Sequence, residues 1–140
     1  MTATYQKMIF VSLPVTDLEA SKKFYAALGF APNAQYSDEN TATFQITDAI
    51  VAMLHTRQRY SEFTKKEISD ATKTSQMMLG LSAETRGEVD DVVEKAFAAG
   101  ATPAAETQDH GFMYNRSFDD LDGHTWEVVW MDPAAEQAQG

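Results

Sequence analysis

The chain has 140 residues, 44% of them hydrophobic and 23% charged, which suits one ordinary globular domain or two small modules sharing a core. Its formal net charge of −10 argues against nucleic acid and anionic membrane surfaces, both of which call for clustered Lys and Arg. With no cysteine, disulfides, thiolate nucleophiles and Cys-ligated zinc are excluded. No apolar run approaches the ~20 residues of a membrane helix. No secretory signal is visible either, so the expected compartment is the cytoplasm.

After a loose start over residues 1–6, the apolar run from Met8 to Val15 predicts a buried strand, with Pro14 near its end where a missing N–H is tolerated. Thr16-Asp17-Leu18-Glu19 reads as a capping box, with Thr16 as the cap. Leu18, Ser21, Phe24, Tyr25 and Leu28 then recur on one helical face, and Gly29 suits the left-handed stop. Three short strands are expected near Asn33–Ser37, Ala42–Ile46 and Ile50–His55. Residues 57–75 are polar and of mixed charge. They read as a linker or lid, with Thr64 and Glu67 able to cap a short helix over Lys65–Asp70.

The first pattern then returns. A strand is expected over Gln76–Ala83, a second capping box at Thr85-Arg86-Gly87-Glu88, and a helical stripe of Val89, Val92, Val93, Ala96 and Phe97 closed by Gly100. Strands follow near Thr102–Glu106, Phe112–Phe118 and Thr125–Met131, and the tail, residues 133–140, is expected to be disordered. The reading is therefore α+β: two βαβββ modules, residues 7–56 and 76–132, joined by the segment 57–75. Each module is too small to cover both faces of its sheet. Two curved mixed sheets with helices outside would enclose a cup, the default ligand site.

The run from Thr16 to Phe30, with Thr-Asp-Leu-Glu, Phe24-Tyr25 and Leu28-Gly29-Phe30, and the hairpin Asp120 to Glu127, with Asp122-Gly123-His124 and Trp126-Glu127, resemble the vicinal oxygen chelate superfamily. That family includes glyoxalase I, bleomycin-resistance proteins, fosfomycin-resistance enzymes and extradiol dioxygenases. The resemblance spans roughly Met8 to Asp132 and implies the fold far more firmly than an activity, since one fold here hosts many chemistries. It also implies a homodimer and, in metal-using members, a divalent ion held from inward positions on four strands. Those positions fall on Phe10, Ala52, Met78 and Glu127. Phenylalanine and alanine carry no lone pair, and a thioether suits soft copper rather than zinc, nickel or iron. One carboxylate is short of the roughly three protein ligands a catalytic metal needs. No metal or other cofactor is therefore predicted.

Strand alternation puts Trp126, Val128 and Trp130 toward the helix and Glu127 and Val129 toward the cup. The expected lining is Phe10, Ser12, Ala52, Leu54, Met78 and Gly80, in which Glu127 would be a ligand anchor or a general base. Tyr114 and Arg116 are candidate ligand contacts, with an Arg116–Glu127 ion pair as the purely structural alternative. His110 is a candidate acid or base in its Asp-His-Gly turn. His124 is expected to hold the hairpin, His55 to lie one step too far out, and Asp119, Asp120 and Asp122 to form a turn rather than a calcium loop.

Two functions remain open. The preferred one is a metal-free binding protein that holds a small organic molecule against Glu127, the way resistance members sequester a drug, with acidity suiting a cationic ligand. The alternative is a lyase or isomerase of the glyoxalase type in which Glu127 abstracts a proton next to a carbonyl. Without a metal, its oxyanion would need donors such as Tyr114, Arg116 or His110.

Overall fold

A computed structural model describes residues 5–135 and divides into two compact units, residues 1–69 and 70–140. The boundary falls inside the polar stretch 57–75.

Unit one runs β1 (Ile9–Val15), α1 (Leu18–Ala27), β2 (Ala31–Pro32), β3 (Thr41–Gln45), β4 (Ile50–Thr56) and α2 (Arg57–Ser61). Its sheet has the order β1-β4-β3-β2, with β1 parallel to β4 and the other pairs antiparallel. Unit two repeats the path with β5 (Met78–Ala83), α3 (Arg86–Ala98), β6 (Thr102–Pro103), β7 (Gln108–Asp109), β8 (Met113–Asp119) and β9 (Thr125–Met131). Its order is β5-β9-β8-β6, with β7 also on β8 and β5 parallel to β9. In both units the helix crossover returns the chain so that the first strand lies beside the last. Two open mixed sheets with few helices make this the α+β βαβββ fold that the sequence predicts.

Register fixes which side chains share a face, because residues directly opposite each other point the same way. In unit one Phe44 stands opposite Ala52, and Leu54 opposite both Leu13 and Ala42. The Phe44 ring lies 6.1 Å from that of Tyr25 on α1, so this set faces the helix. Phe24, Tyr25, Phe44 and Leu54 are fully buried there. Each side chain of this size contributes about 1.5–3 kcal/mol on burial. The far face, turned away from α1, carries Phe10, Ser12, Thr41, Thr43, Met53 and His55. In unit two the α3 side carries Trp126 and Val128, both buried, together with Tyr114, Arg116 and Phe118. The far face carries Met78, Gly80, Asn115, Ser117, Glu127 and Val129.

Local signals differ from expectation in several places. The first helix is capped by Asp17, whose side chain accepts from Ala20 N, and not by Thr16. Thr85 does cap α3, accepting from Glu88 N at 3.0 Å, while Glu88 reaches back to Glu84 N at 2.7 Å. The stretch expected as a strand over Asn33–Ser37 is a 3-10 turn at Ala34–Tyr36, because the Asn33 side chain accepts from Gln35 N and closes a tight bend. The strand expected over Thr102–Glu106 shrinks to two residues. The short helix in the connector is Arg57–Ser61, capped by Thr56, rather than Lys65–Asp70. Of the tail, residues 136–140 lie outside the described residues. Among the described residues no helix is long and apolar enough to cross a membrane.

Candidate functional site

Glu127 sits mid-strand on the far face of β9, half-buried, opposite Gly80 on β5 and Ser117 on β8. Among the described residues no group pairs with its carboxylate. A Cβ built at Gly80 would meet only Glu127 Oε2, at 3.9 Å, so the glycine sets no side chain of its own against the carboxylate. On the same face Asn115 lies diagonal to Glu127, and its Oδ1 is buried without a hydrogen-bond partner. Ser117 Oγ accepts from Ala105 N at 3.1 Å, and Thr125 donates to Asp119. This face thus carries a carboxylate without a partner among the described residues, a buried amide oxygen, and the apolar Met78, 61% exposed, and Val129.

Tyr114 and Arg116 do not join it. They stand opposite Trp130 and Val128 and therefore face α3. Tyr114 donates to Asp90 Oδ1 at 2.6 Å, and Arg116 bonds Asp90 Oδ1 and Glu94 Oε1 at 2.8 Å each. The hydrogen bonds from Tyr114 and then Arg116 hold the Asp90 carboxyl below its usual range. The Arg116–Glu127 ion pair is thereby ruled out: the two side chains are on opposite sides of the sheet. Arg86, at the start of α3, lies over the Tyr114 ring at 4.4 Å and pairs with Asp109. It fixes the turn that carries His110, which is exposed with its ring 6.3 Å from that of Phe112. An open cavity of about 460 Å³ beside β6 and β8 is lined by Phe97, Pro103, Ala105, Thr107, Arg116 and Ser117; Glu127 does not line it.

In unit one the structure moves two residues between faces. Ala52 is fully buried on the α1 side with Phe44, and Leu54 with it, so neither lines the far face. Phe10, 59% exposed, and the exposed Ser12 do lie on the far face. So does His55, which sequence reasoning set aside: it is 3% exposed, with Nδ1 2.9 Å from Thr41 Oγ1 and Nε2 3.3 Å from Ser12 Oγ. The available signal was alternation itself, since placing Ala52 inward forces His55 outward, and one step of register reverses both. Burial, then the Arg59 charge, lowers the His55 pKa from its ordinary 6.5, against an opposing pull from Asp38.

A depressed histidine pKa means the folded state prefers neutral imidazole. Its stabilising contribution is complete above pH 6.5 and is lost as pH falls through the folded-state value. The groups facing the ring are Ser12 from β1, Thr41 from β3, Arg59 and Tyr60 from α2, and Phe63; Asp38 answers the Arg59 charge at 3.3 Å. Among the described residues the ring's hydrogen bonds go to two hydroxyls and to no carboxylate. Unit one is accordingly expected to lose thermal stability between pH 7 and 5, above the range where carboxylates titrate, and His55→Leu should flatten that slope. NMR melting of unit-one amides checks it; an unchanged slope in the variant would assign the effect elsewhere.

A divalent ion fits these residues poorly. The far-face positions near Ala52 are Val51 and Met53, so correcting the register adds no hard donor. Phe10 and Met78 supply none, and both nitrogens of His55 are already engaged. Among the described residues no group of three or more His, Asp or Glu side chains is placed to hold a metal. The acidic turn is spoken for as well: Asp120 Oδ1 accepts from the amides of Asp122 and His124 at 2.9 and 2.8 Å.

Comparison with known proteins places this geometry. The family model described as Glyoxalase/Bleomycin resistance protein/Dioxygenase superfamily matches residues 7–128, and the chain belongs to that superfamily. A solved structure of hypothetical protein SA1046 from S. aureus is 30% identical, with a TM-score of 0.74 over 91% of this chain and 95% of that one. A glyoxalase/bleomycin resistance protein/dioxygenase family enzyme from Burkholderia phytofirmans PsJN is 18% identical, with a TM-score of 0.75 over 90% and 99%. The fosfomycin resistance protein FosX from Mesorhizobium loti is 14% identical, with a TM-score of 0.64 over 98% and 99%. The last two share the fold alone. No curated protein matches the chain.

Proposed function

We propose that this protein binds a small organic cation on the far face of unit two, with Glu127 as its anchor and without the metal used by many members of the superfamily. One observation carries the reading: Glu127 is half-buried, has no partner among the described residues and is flanked by Gly80, which sets no side chain against it. A carboxylate in that position has lost part of its hydration without gaining a protein partner, so a ligand that brings a positive charge or donors recovers the loss. The protein's net charge of −10 favours the encounter.

The lyase or isomerase reading is weakened by the same structure. Two of its three proposed oxyanion donors, Tyr114 and Arg116, are committed to α3, and the third, His110, lies on an exposed turn. The binding reading extends to a homodimer working in the cytoplasm. Its support is the family resemblance and the exposed Ile9, Phe10 and Met78 on edge strands β1 and β5, which a second copy would cover.

The test uses benzylamine, a protonated amine on an apolar ring, titrated by NMR. Glu127→Gln should weaken it about tenfold, the effect of removing one charge-assisted hydrogen bond, with the melting temperature nearly unchanged. A large stability loss without a binding change would make Glu127 a structural carboxylate. One tightly held nickel, zinc, iron or manganese ion per chain, in protein purified without chelators, would restore the metal-dependent reading.

A further inference from the structure

Unit one carries a chain of hydrogen bonds whose direction can be worked out proton by proton. It begins at Arg59, whose guanidinium can only donate: Nη1 reaches Asp38 Oδ2 at 3.3 Å and Thr41 Oγ1 at 3.4 Å. Thr41 Oγ1 is therefore an acceptor at that contact. The hydroxyl has one proton of its own, and its other side-chain partner is His55 Nδ1 at 2.9 Å. Thr41 is buried, so a proton pointing anywhere else would be left unmet at a cost of about 1–3 kcal/mol. The arrangement that meets every proton has Thr41 donating to a bare Nδ1. Neutral His55 then keeps its hydrogen on Nε2, which donates to Ser12 Oγ at 3.3 Å. Ser12 accepts that bond, and its own proton has no partner among the described residues. Ser12 is exposed on the far face beside Phe10 and Met53.

We infer that Ser12, oriented by the buried imidazole of His55, is a hydrogen-bond donor that selects ligands bearing a carbonyl or carboxylate oxygen. Each bond in the relay points outward from the Arg59 cation, and such chains polarise their last donor. The same direction removes a nucleophilic role for Ser12: with hydrogen on Nε2, His55 has no lone pair with which to take the serine proton. His55 is here a positioning residue and Ser12 the contact. The inference rests on the reading of this protein as a small-molecule binder, but it concerns a different unit and a different ligand group from Glu127.

Two measurements test it. The first needs no ligand. Long-range proton–nitrogen NMR at pH 7.5 should show His55 protonated at Nε2 and bare at Nδ1, and the opposite tautomer would overturn the inference. The second uses acetophenone against ethylbenzene, the same ring with and without the carbonyl. The wild-type protein should bind acetophenone several-fold more tightly, and Ser12→Ala should equalise the two. His55→Leu should also abolish the preference. His55→Gln, whose amide N–H can take the place of Nε2–H, should keep it. Equal affinities in the wild type, or a preference that survives Ser12→Ala, would sink the idea. Glu127→Gln separates the two readings: if the carbonyl preference persists there while benzylamine binding is also unchanged, the Ser12 inference stands and the Glu127 anchor falls.

Discussion

Replacing Gly123 with alanine is expected to destabilise unit two by about 3 kcal/mol, through steric overlap combined with backbone strain. Gly123 has φ +86°, in the left-handed region where side chains crowd the backbone. A Cβ there would stand 2.7 Å from the carbonyl carbon and oxygen of Ala71 and from the amide nitrogen of Thr72. All three are backbone atoms, so no side chain can swing aside. The loop cannot easily yield either, since Asp120 ties it by its own amide to His124 O at 2.9 Å and by its carboxylate to the amides of Asp122 and His124. The Asp-Gly-His signature therefore shapes a rigid hairpin end against which the connector backbone lies. Gly111→Ala is the matched control: φ is +79° but nothing stands within 4 Å, so strain alone, about 1 kcal/mol, should appear. Both tryptophans, Trp126 and Trp130, lie in unit two, so urea unfolding followed by fluorescence reads that unit directly. Equal losses in the two variants would mean that the close approach to Ala71 does not persist in solution.

The repeat made the fold legible before any coordinates. Two strand–cap–helix–glycine sequences of the same grammar demand the same path, and the stops at Gly29 and Gly100 fall in the left-handed region as that grammar requires, with φ +99° and +112°. The helix-facing side of β9 was equally legible, because Trp126, Val128 and Trp130 alternate with Glu127. What could not be read was registration between strands. Ile50 to Thr56 is apolar on both faces of its first five residues, so alternation gives no sign of which set faces α1. Choosing Ala52 as inward sent His55 outward. Packing decides it: Phe44 needs the small Ala52 beside it under Tyr25. For β8 the missing quantity was the loop count. Five residues, 120–124, separate the paired Asp119 and Thr125, which sets Ser117, not Arg116, opposite Glu127. Pairing Asp119 with His124 instead, a loop shorter by one, would have set Arg116 opposite the carboxylate.

That parity carries the second large effect. Arg116→Ala is expected to cost about 2 kcal/mol of unit-two stability while leaving benzylamine binding at Glu127 unchanged. The Arg116 side chain is 16% exposed, its guanidinium 5.8 Å over the Phe97 ring and 2.8 Å from both Asp90 and Glu94. Removing it forfeits packing along the stem and two charge-assisted bonds that tie β8 to α3. Because both carboxylates are well exposed and rehydrate once freed, the loss stays well below that for a fully buried ion pair. Tyr114, still bonded to Asp90, retains one strand-to-helix link. Arg116→Met keeps the stem and should recover about half of the loss, which separates packing from charge. Urea unfolding and a benzylamine titration on the same samples decide the matter. Weakened binding with unchanged stability would return Arg116 to the ligand face and refute the register that now places it against α3. Stability lost with binding intact would leave Glu127 to do its work on the opposite side of the sheet, with no arginine to neutralise it and its charge available to a cation.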